Sequence, residues 1–299
     1  MSEKHIPVLL DEVLRTLNPC GGVFVDGTFG AGGYTRAILK AHPLNQVIAF
    51  DRDPTTYATA HQMEQEFQGR FSFVPDCFSS VATHLNQKVE GFVLDLGVSS
   101  MQIDTPERGF SLRFDGPLDM RMSGTGLTAG EVVNTFDEKE LADILYTYGE
   151  EKMSRKIARA VVEHRPLLTT QQLVQVIHQV MPKPKDGADS ATRSFQALRI
   201  FVNDELGELK RALASAKEIL KPQGRLVVVS FHSLEDRIVK QFLRENAAPK
   251  KHQNKYAAAQ QPIEAPFVVP EKEIVVAGEK ELAQNTRAHS AKLRWAIKT

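Results

Sequence analysis

Short, almost uninterrupted apolar runs recur through the first third of the chain, each separated from the next by a segment of helical period. Val23-Phe24-Val25, Val47-Ile48-Ala49-Phe50, Phe71-Ser72-Phe73-Val74 and Gly91-Phe92-Val93-Leu94-Asp95-Leu96 read as strands, and Arg225-Leu226-Val227-Val228-Val229-Ser230-Phe231 as a fifth. Such runs with helices between them predict an α/β fold with a parallel sheet covered on both faces. Its ligand site should lie beyond the carboxyl ends of the strands. Asp26, Asp51, Phe78 and Asp95 all fall at that edge.

The fifth strand arrives only after a long stretch of helical pattern, which predicts a helical domain inserted at roughly residues 106–204. The sheet domain is then discontinuous, built from 1–105 and 205–299. Within the insertion, Asp137-Glu138-Lys139-Glu140 and Thr169-Thr170-Gln171-Gln172 have the spacing of helix-starting capping boxes. Asp204 to Leu220 reads as the helix returning to the sheet, ended by Lys221-Pro222-Gln223-Gly224. The polar stretch from Asn246 to about Gln261 predicts a mobile loop. After it, Ala291, Leu293, Trp295 and Ile297 alternate with Lys292, Arg294 and Lys298, the period of a half-buried strand added to the sheet.

Composition narrows the class without choosing a function. The 299 residues can bury a substantial core, and 37 Lys plus Arg balance 37 Asp plus Glu, so a nucleic-acid surface must be a local patch. Two cysteines, Cys20 and Cys77, support neither a disulfide framework nor a zinc ribbon. No signal-peptide core or membrane-length apolar stretch is visible, which predicts a cytoplasmic protein without a membrane partner.

The chemistry begins where the first strand runs into Asp26-Gly27-Thr28-Phe29-Gly30-Ala31-Gly32-Gly33-Tyr34. A glycine turn before a helix lets a ligand approach the backbone and meet unpaired N–H groups. The same turn can serve only as a tight strand-to-helix connection. Asp51, ending the second strand, has the spacing of a carboxylate that accepts from ribose hydroxyls. Singly, Asp26 could cap its own turn and Asp51 could be a solvated strand end. The order Gly30-Ala31-Gly32-Gly33 departs from the Gly-x-Gly-x-x-Gly of dehydrogenases and is closer to S-adenosylmethionine-dependent methyltransferases.

Several uncommon strings then occur in order. They are His5-Ile6-Pro7-Val8-Leu9-Leu10, the glycine turn, Asp51-Arg52-Asp53-Pro54 and Leu94-Asp95-Leu96-Gly97-Val98-Ser99-Ser100. Further on come Arg108-Gly109-Phe110-Ser111, Asp115-Gly116-Pro117-Leu118-Asp119-Met120-Arg121-Met122, Phe195-Gln196-Ala197-Leu198-Arg199-Ile200 and Ser230-Phe231-His232-Ser233-Leu234-Glu235-Asp236-Arg237. Together they resemble the bacterial 16S ribosomal RNA cytosine-N4 methyltransferase family (RsmH, also called MraW) over essentially the whole chain.

That resemblance implies a Rossmann-like S-adenosylmethionine-dependent methyltransferase sheet with an inserted all-helical substrate-recognition domain. It implies methylation of the exocyclic amine of a decoding-centre cytidine, with 16S rRNA and the small ribosomal subunit as partners; a homodimer is compatible with it. By matching positions, cofactor contacts carry over to Gly32, Gly33, Tyr34, Asp51, Phe78, Asp95 and Gln102. Tyr34 stands where the family often has histidine, which favours a contact through its backbone.

Catalytic candidates are Asp95, Asp119 and His232, and no metal is called for. Asp95 lacks the following Pro-Pro-Tyr of many amino methyltransferases, so other groups must grip the base. Asp119 can accept from N4, with Arg121 on a phosphate or the base carbonyl, or the two can form a loop salt bridge. His232 follows the fifth strand, and Ser233 has the pattern of a helix N-cap. Lys152, Arg155, Lys156 and Arg159 recur at helical spacing as an RNA-facing or merely solvated stripe. Arg193 and Arg199 flank Phe195, which is open to stacking or to packing in a core. Two other classes compete: a DNA cytosine-N4 methyltransferase and a non-catalytic RNA-binding assembly protein. A nicotinamide-dependent oxidoreductase is disfavoured by the glycine order.

Overall fold

The structure is a computed structural model and describes residues 7–247, 265–270 and 274–299. The predicted loop from Asn246 to about Gln261 lies, past residue 247, outside the described residues, as do His5 and Ile6. The strands are β1 (Gly22–Asp26), β2 (Asn45–Phe50), β3 (Phe71–Val74), β4 (Val89–Asp95), β5 (Leu220–Ser230), β6 (Phe267–Val268), β7 (Ile274–Val275) and β8 (Lys292–Lys298). The helices run α1 (Leu10–Leu17), α2 (Gly33–Ala41), α3 (Tyr57–Glu66), α4 (Val81–His84), α5 (Ser100–Ile103), α6 (Ala129–Thr135) and α7 (Glu138–Gly149). They continue with α8 (Ser154–Glu163), α9 (Thr170–Val180), α10 (Thr192–Asn203), α11 (Glu205–Ile219), α12 (Ser233–Asn246) and α13 (Glu279–Gln284). The chain divides into two compact units, Met1–Gly97 with Leu206–Thr299, and Val98–Glu205.

The first unit is an α/β sheet in the order β3-β2-β1-β4-β5-β8-β6, with β7 also on β8. β1 to β5 pair in parallel, whereas β8 runs antiparallel to β5, β6 and β7. Each strand serves two cores because successive side chains point to opposite faces. Phe24, Val93, Val227 and Val229 join one core with Val13, Ile38 and Met63. Their neighbours Val25, Phe92, Leu94 and Val228 join the other with Leu209, Leu213 and Val239. Burial on both faces is why these strands are continuous apolar runs. Strand placement reverses between β1 and β4, which opens a crevice beyond their carboxyl ends.

Two local expectations change. Lys221-Pro222-Gln223-Gly224 does not separate α11 from the strand. β5 already pairs at Leu220 with Val89 and resumes at Arg225 with Gly91, so these four residues bulge out of the strand, with Gln223 at φ 65°. Nor does β8 alternate simply between core and solvent. Arg294 is 3% exposed, and its Nε and Nη2 donate to Asp236 at 2.7 and 3.3 Å. β8 lies inside the sheet rather than at its edge, so its charged face is covered and needs a counter-ion.

The second unit is helical around its own core of Leu141, Leu145, Ile157, Val161, Leu173, Ile177 and Leu198. Reciprocal capping boxes start α6 at Thr128 and Glu131, α7 at Asp137 and Glu140, and α9 at Thr169 and Gln172. Each satisfies orphan amides that would otherwise need water. On α8 and the turn before it, Lys152, Arg155, Lys156 and Arg159 are exposed while Ile157 and Val161 are buried. Phe195 is 5% exposed within this core, so it is not a stacking surface. Arg199 is likewise engaged, its Nε and Nη2 donating to Glu205 at 2.7 and 3.0 Å.

Candidate active site

The glycine turn is tied down from below. Asp26 is fully buried at the end of β1; Oδ1 accepts from the Thr28 amide at 3.1 Å and Oδ2 from Thr35 Oγ1 at 2.7 Å. Burial raises the Asp26 carboxyl above its ordinary range, and the Thr35 and Thr28 hydrogen bonds offset part of that rise. The Gly27 amide donates to Val93 and the Phe29 amide to Phe50, each at 2.9 Å, which joins the turn to β4 and β2. Asp26 is therefore the internal brace of the turn, the capping role open to it from sequence.

Above the brace, the backbone faces outward. Gly30 has φ +51°, and a Cβ there would meet only the Thr28 carbonyl, at 4.0 Å. Its amide donates to Asp51 Oδ2 at 2.8 Å, and the Asp53 amide donates to Asp51 Oδ1 at 2.9 Å. Each carboxylate oxygen keeps a second lone pair for another donor. Burial pushes the Asp51 carboxyl up to about 6, against the pull of the Asp53 and Gly30 amides.

Gly32 and Gly33 are glycines for a different reason. A Cβ on Gly32 would come within 2.6 Å of Met63 Cε, and one on Gly33 within 2.2 Å of Pro7 Cγ. Gly32, at φ 76°, is the N-cap of α2 and supplies no side-chain cap. The first amides of α2 are thus left without the side-chain partner that α6, α7 and α9 have, and they carry the positive end of the helix dipole. The Tyr34 ring is buried, its hydroxyl donating to the Val8 carbonyl, so only its backbone faces this space.

Asp95 ends β4 beside the turn. Its amide donates to Thr28 Oγ1 at 2.7 Å, while its carboxylate Oδ1 is enclosed without any hydrogen-bond partner among the described residues. Burial first, then the charges of Asp26 and Glu235, raise this carboxyl well above its ordinary range. Phe78 opens a short 3-10 turn after β3 and is half-buried, its Cβ lying against the backbone of Gly27. On β5, Val229 pairs with Asp95, and His232 follows three residues later at the same sheet edge.

At that edge the N-cap of α12 is His232, one residue earlier than the expected Ser233. Glu235 Oε2 accepts from the Phe231 and His232 amides at 2.8 and 3.3 Å, and Oε1 lies 3.1 Å from His232 Nε2. Glu235 is not singled out by the sequence reading. Its spacing three residues after the N-cap is the available signal, masked when the helix start is placed at Ser233.

Gln102 and Asp119 belong to the second unit. Gln102 is buried and closes the capping box of α5, its Oε1 accepting from the Ser99 amide at 3.0 Å. Asp119 is held by Arg121, whose Nε and Nη2 donate to its two oxygens at 3.0 and 2.7 Å. Despite partial burial, those bonds hold the Asp119 carboxyl below its ordinary range. The fold contains the salt-bridge alternative: Oδ1 accepts twice, from the Arg121 amide and Nε, while Oδ2 accepts once and keeps a second lone pair. The motifs around this pair are packing devices. The Arg108 guanidinium donates to the Arg121 and Met122 carbonyls at 2.9 Å each, and a Cβ on Gly109 would lie 2.2 Å from the Pro117 carbonyl.

Among the described residues, no group of three or more His, Cys, Asp or Glu side chains is placed to hold a metal ion, and no helix is long and apolar enough to cross a membrane.

Known proteins match the chain over its whole length. The model of the MraW methylase family matches residues 2–299. A Zymomonas mobilis protein named ribosomal RNA small subunit methyltransferase H is 51% identical, the match covering 99% of this chain and 90% of that one. A Rickettsia akari protein of the same name is 48% identical, covering 100% of this chain and 99% of its own. Among solved structures, an rRNA methylase from Streptococcus thermophilus aligns over 100% of this chain and 98% of its own, at 11% identity and a TM-score of 0.42.

Proposed function

Because the chain belongs to the MraW methylase family, we propose that it transfers a methyl group from S-adenosylmethionine to the exocyclic N4 amine of a decoding-centre cytidine in 16S rRNA of the small ribosomal subunit. The observation that carries this reading is the enclosed, unpartnered Oδ1 of Asp95 beside the open face of the glycine turn. A buried carboxylate oxygen without a donor is costly unless a ligand amine or hydroxyl supplies one.

The residues of the first unit fit the donor. Asp51 has acceptor capacity for ribose hydroxyls, and Phe78 offers a ring face for adenine. Gly30 leaves space over the backbone, and the α2 amides of Gly33 and Tyr34 suit a carboxylate. When bound, S-adenosylmethionine supplies an electrophilic methyl carbon on sulfur. The protein's own task is to hold the amine in line with that carbon and to keep water out, an alignment worth up to about 10 kcal/mol. An acceptor such as Asp95 favours the pyramidal form of an amine whose lone pair is otherwise delocalised into the ring.

We assign substrate recognition to the helical unit, through the exposed cations of α8. The test is transfer of labelled methyl from S-adenosylmethionine to purified small subunits lacking the modification, read by nucleoside mass spectrometry. N4-methylcytidine is expected; methylation at another atom would overturn the base assignment.

A further inference from the structure

α12 opens on a largely covered histidine held beside a buried glutamate. The His232 side chain is 10% exposed, and neither ring nitrogen has a hydrogen-bond partner among the described residues. Glu235 cannot swing away, because its Oε2 is pinned by the Phe231 and His232 amides. That leaves Oε1 at 3.1 Å from His232 Nε2, within ion-pair reach though off the line of a hydrogen bond. A carboxylate at that nitrogen favours the tautomer protonated on Nε2 and leaves Nδ1 as the acceptor.

The position of this pair matters as much as its geometry. His232 follows the end of β5, the strand paired with β4 through Val229 and Asp95. Asp95 Oδ1 and His232 Nδ1 are thus two enclosed polar atoms without hydrogen-bond partners among the described residues, at the ends of two paired strands. Such atoms are rare in native folds, and a pair of them marks where a further polar group is received. His232 is also the N-cap of α12, its ring facing the Glu235 amide while Glu235 accepts from the Phe231 and His232 amides, so a test variant must keep a capping side chain.

We propose that His232 accepts the proton released in methyl transfer and that Glu235 is its positioning residue; this rests on the reading of the acceptor as a cytosine N4 amine. As N4 bonds to the methyl carbon, the carbon–sulfur bond breaks and its electron pair stays on sulfur. The amine nitrogen gains positive charge and sheds it by passing one N–H proton to His232 Nδ1. The imidazolium so formed is stabilised by Glu235, and Asp95 keeps the remaining N–H oriented. Among the described residues, Lys292 and Arg294 on β8 are engaged by Asp236, and Glu235 is the charged group within ion-pair reach of the ring.

His232→Asn retains a side chain suited to an N-cap, and Glu235→Gln retains an acceptor for the two amides. Circular dichroism and S-adenosylmethionine binding by calorimetry, both expected to match wild type, establish that the variants fold. His232→Asn should lower kcat on small subunits by about 100-fold or more and abolish the acid limb of its pH profile. Glu235→Gln should lower kcat on small subunits while KM and S-adenosylmethionine affinity stay at wild-type values. Wild-type kcat and an intact limb in His232→Asn would overturn the acceptor. Wild-type kcat in Glu235→Gln would overturn the positioning role. Failure of the wild-type protein itself to methylate subunits, with cofactor binding intact, would instead overturn the reading on which both rest.

Discussion

The Gly30 amide donates to Asp51 Oδ2 at 2.8 Å, so the turn over β1 and the carboxylate after β2 form one hydrogen-bonded unit. Asp51 accepts best when ionised, and its carboxyl is pushed up to about 6. S-adenosylmethionine affinity should therefore be flat above that pH and fall as pH drops through it. Asp51→Asn should bind more weakly and lose the dependence, as calorimetry from pH 5 to 8 would read. The sign for stability is opposite. A carboxyl whose folded value exceeds its unfolded one favours the fold in acid, and that contribution disappears as pH rises from the ordinary value to about 6.

Gly30→Ala and Gly32→Ala separate space from strain. Both positions have positive φ, which costs a non-glycine residue roughly 1–2 kcal/mol. At Gly30 the new methyl enters open space over the turn, so cofactor affinity should fall by more than stability does. At Gly32 it meets Met63 at 2.6 Å, and the melting temperature should fall further than at Gly30. Equal melting temperatures would contradict the packing account of Gly32.

Asp236→Ala would leave the buried Arg294 guanidinium without its carboxylate. Removing one partner of a buried pair costs about 3–5 kcal/mol, which urea denaturation would measure. Burial alone would raise the Asp236 carboxyl, but the Arg294 hydrogen bond and charge hold it below its ordinary range. Its stabilisation is therefore present above the unfolded value and lost as acid brings the solution through the lower folded one. Wild-type protein should show this loss at acid pH, and Asp236→Ala should not.

Replacing Lys152, Arg155, Lys156 and Arg159 together by alanine should leave cofactor binding and helical content unchanged, since all four are exposed. RNA affinity should weaken, and the slope of log K against log salt should shrink by about 0.7 for each single-strand phosphate that is no longer neutralised. An unchanged slope would mean that these cations are only a solvated face.

The sheet and its functional edge are readable because physics repeats itself there. Strands buried on both faces must be continuous apolar runs, and carboxylates ending such runs at Asp51 and Asp95 must share one edge. What the pattern conceals are choices between partners. Arg294 alternates in sequence as an outward residue does, yet it is covered because β8 lies inside the sheet. Asp119 and Arg121, two residues apart in a turn, form the bidentate pair that the sequence offers only as one of two alternatives. Gln102 closes a local capping box that the sequence reading does not single out. The help that His232 receives from Glu235 is hidden by a helix start that lies one residue earlier than its pattern suggests.

The inner position of β8 also orders events during synthesis. The helical unit is contiguous and can close once residue 205 has been made, whereas β5 has no antiparallel neighbour until residues 292–298 follow. At roughly 5–20 residues per second, that interval lasts on the order of 5–20 s. Through it, the nascent chain carries a finished α-helical body and an unfinished sheet whose β5 edge is open. The half of the molecule that would hold the cofactor is therefore the last to become competent, and until β8 arrives it is the half most exposed to wrong pairing.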